Sequence, residues 1–186
     1  VLVLMCGLSG TGKSTIGSQL CARIGAAYLS SDIVRKKIAD LPLYGKISRQ
    51  QRDEIYSAKM TEQTYRNMRE KAEQYIQKGY SVILDATYTN ILDRKKVLDI
   101  ARKYNYKTLI IDLKTTESEA LSRIAYRMFD HLNVSDATSA IYRGQVEQLV
   151  PITEKEGTVM VIENNDSPYK IVQQIIQKIS LLTDNK

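Results

Sequence analysis

A glycine-rich run between an apolar strand and a helix constrains this chain more than any other feature. Gly7-Leu8-Ser9-Gly10-Thr11-Gly12-Lys13-Ser14 fills every fixed position of G-x-x-x-x-G-K-[ST]. The six residues before it, Val1 to Cys6, read as a buried strand. The apolar spacing from Lys13 to Ile24, closed by Gly25, reads as a helix. Glycine lets the backbone turn its N–H groups toward an anion, and the helix N-terminus adds a favourable partial charge. Gly7, Ser9, Gly10, Thr11 and Gly12 would thus cradle phosphate oxygens. Lys13 would reach the β- and γ-phosphates of a bound nucleoside triphosphate. The Ser14 hydroxyl would ligate Mg2+, and Thr15 would bond the α-phosphate.

The rest of the chain alternates short apolar strands with amphipathic helices, as an α/β fold with a parallel sheet requires. Strands are expected at Ala27–Leu29, Ser81–Asp85, Lys107–Leu113 and Thr158–Ile162. Helices are expected over Gln51–Lys78, Leu92–Tyr104, Ser118–Phe129, Asp136–Val150 and Pro168–Leu182, and a short one after Ser30-Ser31-Asp32. No linker or repeat interrupts the pattern, so one domain over 1–186 is expected, with a lid at about 115–135. The chain begins without Met inside a strand, as one cut from a longer protein would.

Composition excludes several classes. Apolar residues are 43% and charged residues 26% of 186, as in soluble globular proteins. No apolar run is long enough to span a bilayer. Cys6 and Cys21 sit in apolar contexts and read as reduced, buried thiols, which makes a cytoplasmic protein the default. The net charge of +6 suits anionic ligands without requiring nucleic acid.

In a parallel sheet, ligands bind beyond the carboxyl ends of the strands. Asp32 lies past strand two and is the candidate general base; its alternative role is a helix N-cap. Arg35 lies one turn on and would hold an anionic acceptor group, or else be a solvated member of Arg35-Lys36-Lys37. Asp85 ends strand three, where a carboxylate would hold Mg2+, and Thr87 follows as a substrate-side candidate. Arg123 and Arg127 project to one side of a helix and suit a lid closing over phosphates. The alternative is a surface pair with Glu119 bridged to Arg123. His131, the lone histidine, opens a candidate hinge running to Ser135, and no chemistry is assigned to it. The loop Glu163–Ser167 would touch an adenine, or is a polar turn.

Together, the phosphate loop, Ser30-Ser31-Asp32-Ile33-Val34-Arg35, Gly79-Tyr80-Ser81-Val82-Ile83-Leu84-Asp85-Ala86-Thr87 and the Arg123/Arg127 pair form a pattern. It resembles the predicted P-loop kinases of the AAA-family ATP-binding protein group, which are related to polynucleotide 5′-hydroxyl kinases and zeta-toxin kinases. The resemblance runs from Val1 to about Ile179. It implies a P-loop sandwich with a five-stranded parallel sheet of order 2-3-1-4-5 and a helical lid. It implies ATP as the nucleotide, Asp32 as base, Arg35 on the acceptor, and catalytic roles for Arg123 and Arg127 beside the Lys13 and Mg2+ that the phosphate loop itself points to. The D-x-x-R spacing does not fix the acceptor. A small hydroxyl-bearing molecule leads. A nucleic acid would need a basic track, for which Arg35, Lys36, Lys37, Lys46, Arg49 and Arg52 are candidates beside Tyr44 and Tyr56. A regulatory ATP-binding domain with little turnover is the third reading.

Overall fold

The computed structural model describes residues 1–127, 129–130 and 132–184. His131, the candidate hinge residue, lies outside the described residues, as does Met128. Five strands, β1 (Leu2–Cys6), β2 (Ala27–Ser30), β3 (Val82–Asp85), β4 (Thr108–Lys114) and β5 (Val159–Glu163), form one sheet. All pairings are parallel and the order is β2-β3-β1-β4-β5. The helices are α1 (Lys13–Ile24), α2 (Ser31–Ile38), α3 (Arg49–Ile55), α4 (Ala58–Gln77), α5 (Ile91–Lys103), α6 (Glu117–Arg127), α7 (Ser139–Gln148) and α8 (Pro168–Asp184).

The sheet is covered on both faces, and β1 shows why its sequence is uniformly apolar. Successive side chains point to opposite faces. Leu2, Leu4 and Cys6 pack with Met68 and Ala72 of α4 and Val97 of α5. Val3 and Met5 pack with Ile16 and Leu20 of α1 and Ile171 and Ile175 of α8. A strand buried on both faces needs no polar alternation. Each such Leu or Ile contributes about 1.5–3 kcal/mol by burial. Among the described residues, no helix is long and apolar enough to cross a membrane.

Two expected boundaries moved, and both moves bear on function. The helix expected over Gln51–Lys78 is two helices. Ser48 and Gln51 form a capping box that starts α3, and Ser57 starts α4 by accepting a bond from the Met60 amide at 3.2 Å. Tyr56 falls in the break, with φ −97° and ψ 8°. Its side chain therefore leaves the stripe Met60, Thr64, Met68, Ala72, Ile76 that α4 lays on the core. The helix expected from Asp136 starts at Ser139, because Thr138 is its N-cap. Asp136, left outside the helix, pairs with the buried Lys36 ammonium of α2 at 2.9 Å.

Candidate active site

Gly10 brings the phosphate loop against the lid helix. Its φ is 83°, and a Cβ there would lie 2.5 Å from the Ala120 carbonyl oxygen and 2.9 Å from the Ala120 Cα. Both are backbone atoms of α6, so only glycine fits. Inside the loop, Lys13 Nζ donates to the Leu8 carbonyl at 2.8 Å, and Thr11 Oγ1 donates to the same oxygen at 2.9 Å. Burial pushes the Lys13 ammonium pKa down; the Asp85 and Asp32 carboxylates oppose the shift.

Asp85 ends β3 beside the loop and is 3% exposed. Its Oδ2 accepts from Ser14 Oγ at 2.7 Å and from Tyr28 Oη at 2.5 Å. Burial raises the carboxyl pKa, against the Lys13 charge and these two hydrogen bonds. Tyr28 is pushed up in turn, by burial and then by the Asp85 charge. Gly17 of α1 makes room for that tyrosine, since a Cβ there would meet the Tyr28 ring at 2.8 Å.

Asp32 sits in the first turn of α2 and is not its N-cap; that position is Ser30, without a side-chain bond. Arg35 Nη1 donates to Asp32 Oδ1 at 3.0 Å, and Tyr56 Oη reaches the same oxygen at 3.5 Å. The Arg35 guanidinium lies over the Tyr56 ring, 4.7 Å from its centroid. Arg35 is 6% exposed, so it is no solvated member of a basic run.

A small recess of about 40 Å³ brings Lys13, Ser14, Asp32, Asp85, Thr87 and Arg127 together, with Ser9, Gly10 and Gly12 also at its walls. Gly7 stands behind, its amide bonded to the Thr87 carbonyl at 3.3 Å. Thr87 also borders a larger cavity of about 470 Å³, whose wall includes Arg35. A third cavity, of about 340 Å³, lies on the other side of the loop and is lined by Thr15, Arg123, Arg127, Asn164 and Asn165. The loop after β5 therefore reaches the phosphate loop, as Asn164 Nδ2 donates to the Thr11 carbonyl at 2.7 Å. Arg123 Nη1 points to the Gly10 and Thr11 carbonyls, each at 3.4 Å, and Glu119 accepts instead from Thr115.

The chain matches the family model described as AAA domain over residues 2–152. This chain belongs to that AAA domain family. An adenylate kinase of Azobacteroides pseudotrichonymphae genomovar. CFP2 is 25% identical over 186 residues, covering 95% of each chain. Among solved structures, Chaetomium thermophilum Kti12 in complex with ADP-AlF3 superposes with a TM-score of 0.72 at 16% identity, covering 98% of each chain. A gluconokinase from Sinorhizobium meliloti 1021 gives a TM-score of 0.65 at 16% identity, covering 98% of this chain and 93% of its own. Family, sheet order and phosphate loop make this AAA domain a P-loop kinase fold.

Tyr28 is an ordinary strand residue in sequence until the fold puts Asp85 beside it, and Tyr56, named from sequence only as a neighbour of a basic track, stands beside Asp32. Gln145 of α7 is a third: its Oε1 accepts from the Ser9 amide of the phosphate loop at 2.9 Å, across 136 residues of sequence. Only the tertiary fold links these pairs, and no short motif carries them.

Proposed function

We propose that this domain is an ATP-dependent kinase that transfers the γ-phosphate to a hydroxyl of a small-molecule acceptor. One observation carries the reading. Asp32 faces the recess shared by Lys13, Ser14 and Asp85, while its ion-pair partner Arg35 faces the 470 Å³ cavity. A carboxylate thus stands between a place for phosphates and a place for an acceptor.

Asp32 would orient the acceptor hydroxyl and take its proton as the oxygen attacks the γ-phosphorus and the bond to the β,γ-bridging oxygen breaks. Lys13, released from the Leu8 carbonyl, would hold the β- and γ-phosphates. Arg123 and Arg127 of α6 would balance charge on the transferring group. Thr15 faces the 340 Å³ cavity, which fits the remainder of the nucleotide. Thr87, common to recess and cavity, would touch the acceptor. Mg2+ fits the donor set, because Ser14 and Asp85 offer hard oxygens already 2.7 Å apart beside the phosphate recess. No group of three or more His, Cys, Asp or Glu among the described residues would hold a metal unaided, so phosphate oxygens would complete the shell. When bound, that ion would neutralise phosphate charge.

A second reading, a polynucleotide 5′-hydroxyl kinase, is weaker on the same surface. The basic track that it needs is interrupted. Lys36 is 1% exposed and bound to Asp136 and the Leu43 carbonyl, and Arg35 is buried on Asp32.

The test is transfer of labelled γ-phosphate from ATP into hydroxyl-bearing small molecules and, separately, into a 5′-hydroxyl oligonucleotide, with Lys13→Ala as control. Transfer to a small molecule, abolished in Lys13→Ala, is expected. Slow hydrolysis with every acceptor would instead favour a regulatory ATP-binding domain. A smaller effect is expected at Gln145. Its bond occupies a loop amide that a nucleotide phosphate would claim, so Gln145→Ala should tighten ATP binding. A hydrogen bond of about 1 kcal/mol corresponds to roughly fivefold in Kd, readable by calorimetry.

A further inference from the structure

The 470 Å³ cavity lies between the α3–α4 break, the β3–α5 loop and α7. Its size falls in the range of small-molecule sites, about 300–1,000 Å³, but its lining does not resemble theirs. Such sites are mostly apolar, with a few polar groups for orientation. Here only Ala58, Ile141 and Gly144 of fourteen lining residues lack a polar side-chain group. A ligand that displaces water from these walls must replace many hydrogen bonds, or each desolvated group costs about 1–3 kcal/mol. An apolar or aromatic acceptor fails that requirement. A molecule with hydroxyls around its whole frame meets it.

Charge narrows the class further. The walls present one cation, Arg35, against two carboxylates, Glu62 and Asp93. The Arg35 charge is already matched by Asp32 at 3.0 Å. That pair occupies Nη1, and the guanidinium carries further N–H donors that can serve a neutral ligand oxygen. Lys96 lies 3.7 Å from Asp93 and 3.8 Å from Glu62, and Arg69 lies 3.8 Å from Glu62, yet neither cation lines the cavity. They balance these carboxylates as Asp32 balances Arg35, so the walls carry no unpaired charge of either sign. A phosphate or carboxylate on the acceptor would find no free cation among the lining residues. Hydroxyls, by contrast, donate well to carboxylates and to amide oxygens such as those of Asn90 and Gln148.

We infer that the acceptor is a compact polyhydroxylated compound carrying no anionic group, held in the cavity walled by Glu62, Asp93, Asn90, Gln148 and Arg35. This rests on the kinase reading for the direction of transfer, but not for the recognition. The anionic end of a nucleic acid or of a sugar phosphate finds no unpaired cation on the same walls.

The experiment uses matched pairs: neutral hexoses, pentoses and alditols, each beside its monophosphate, plus a 5′-hydroxyl oligonucleotide. Binding is read by ligand-observed NMR with a non-hydrolysable ATP analogue and Mg2+, and transfer is read separately with ATP. At least one neutral member is expected to bind and accept phosphate, with kcat/KM on the order of 100-fold above its monophosphate. Asp93→Asn should raise the acceptor KM about tenfold while leaving the KM for ATP unchanged. Binding of a neutral member without transfer would uphold this assignment and sink the kinase reading. Transfer to a monophosphate or to the oligonucleotide in preference would overturn the assignment and leave the kinase standing. Silence of the whole panel in both readouts would also overturn it.

Discussion

Asp32→Asn is expected to lower kcat for γ-phosphate transfer by about 10²–10⁴-fold, the usual contribution of a positioned base. ATP affinity should hardly change. The substitution keeps the side-chain shape, and an amide oxygen can still accept from Arg35 at 3.0 Å and from Tyr56 at 3.5 Å. What is lost is the capacity to take a proton. Because Arg35 is buried, some stability is lost with the opposing charge, so the melting temperature must be followed beside the kinetics. Turnover within tenfold of wild type, with ATP binding intact, would remove Asp32 from the role of base. Loss of both turnover and folding would be resolved by Tyr56→Phe. That change spares the ion pair, removes only the 3.5 Å contact, and should cost far less of kcat.

Arg94→Met is expected to cost about 3–5 kcal/mol of stability, which for a chain of this size is roughly 6–20 °C in Tm. Arg94 is fully buried in α5. Its Nε and Nη2 pair with Glu156 at 2.7 and 3.0 Å. Its Nη1 donates to the carbonyls of Tyr88 at 2.8 Å, Val150 at 3.1 Å and Thr89 at 3.4 Å, and its Nη2 to the Pro151 carbonyl at 3.4 Å. Methionine fills the volume but leaves a buried carboxylate and several carbonyls unpaired. Pairing it with Glu156→Gln should recover part of the loss, because the stranded charge is then gone. Urea denaturation of the single and double variants measures both numbers. A single-variant loss under about 1 kcal/mol would mean that water replaces the arginine, and the clamp would be dispensable. The clamp joins the β3–α5 loop, whose Thr89 and Asn90 wall the 470 Å³ cavity, to the chain following α7, so acceptor binding should loosen with stability.

The sequence made β1, the phosphate loop and α1 legible to within one residue, because a motif, a period and a terminating Gly25 agree there. The sheet order followed from resemblance and holds. Asp85 and Asp32 were legible as carboxylates past strand ends, and the structure brings both to Lys13. What was not legible depended on long-range pairing. Tyr56 continues the α4 stripe in sequence, and only the local caps at Ser48 and Ser57 move it to Arg35. Lys36 reads as one of three surface cations, yet it is buried beside Asp136, a hundred residues later. Arg94 sits among Asp93, Lys95 and Lys96 and looks like solvated helix surface. A charged residue's burial is decided by its partner, and Glu156 has no signal near Arg94 in sequence.

The pairing of β1 has a consequence for how the chain is made. Leu2 meets Val82 on one side and Thr108 on the other, so neither neighbour exists when the strand leaves the ribosome. At about 5–20 residues per second, the roughly hundred residues from β1 to β4 take on the order of 5–20 s to emerge. Until β3 and then β4 follow, five consecutive apolar residues have open hydrogen-bonding edges, which is the condition under which nascent chains associate wrongly. The strand that leads into the phosphate loop is completed only by segments far behind it in the chain, and a chaperone holding β1 until β4 emerges would act on the part most exposed to that risk.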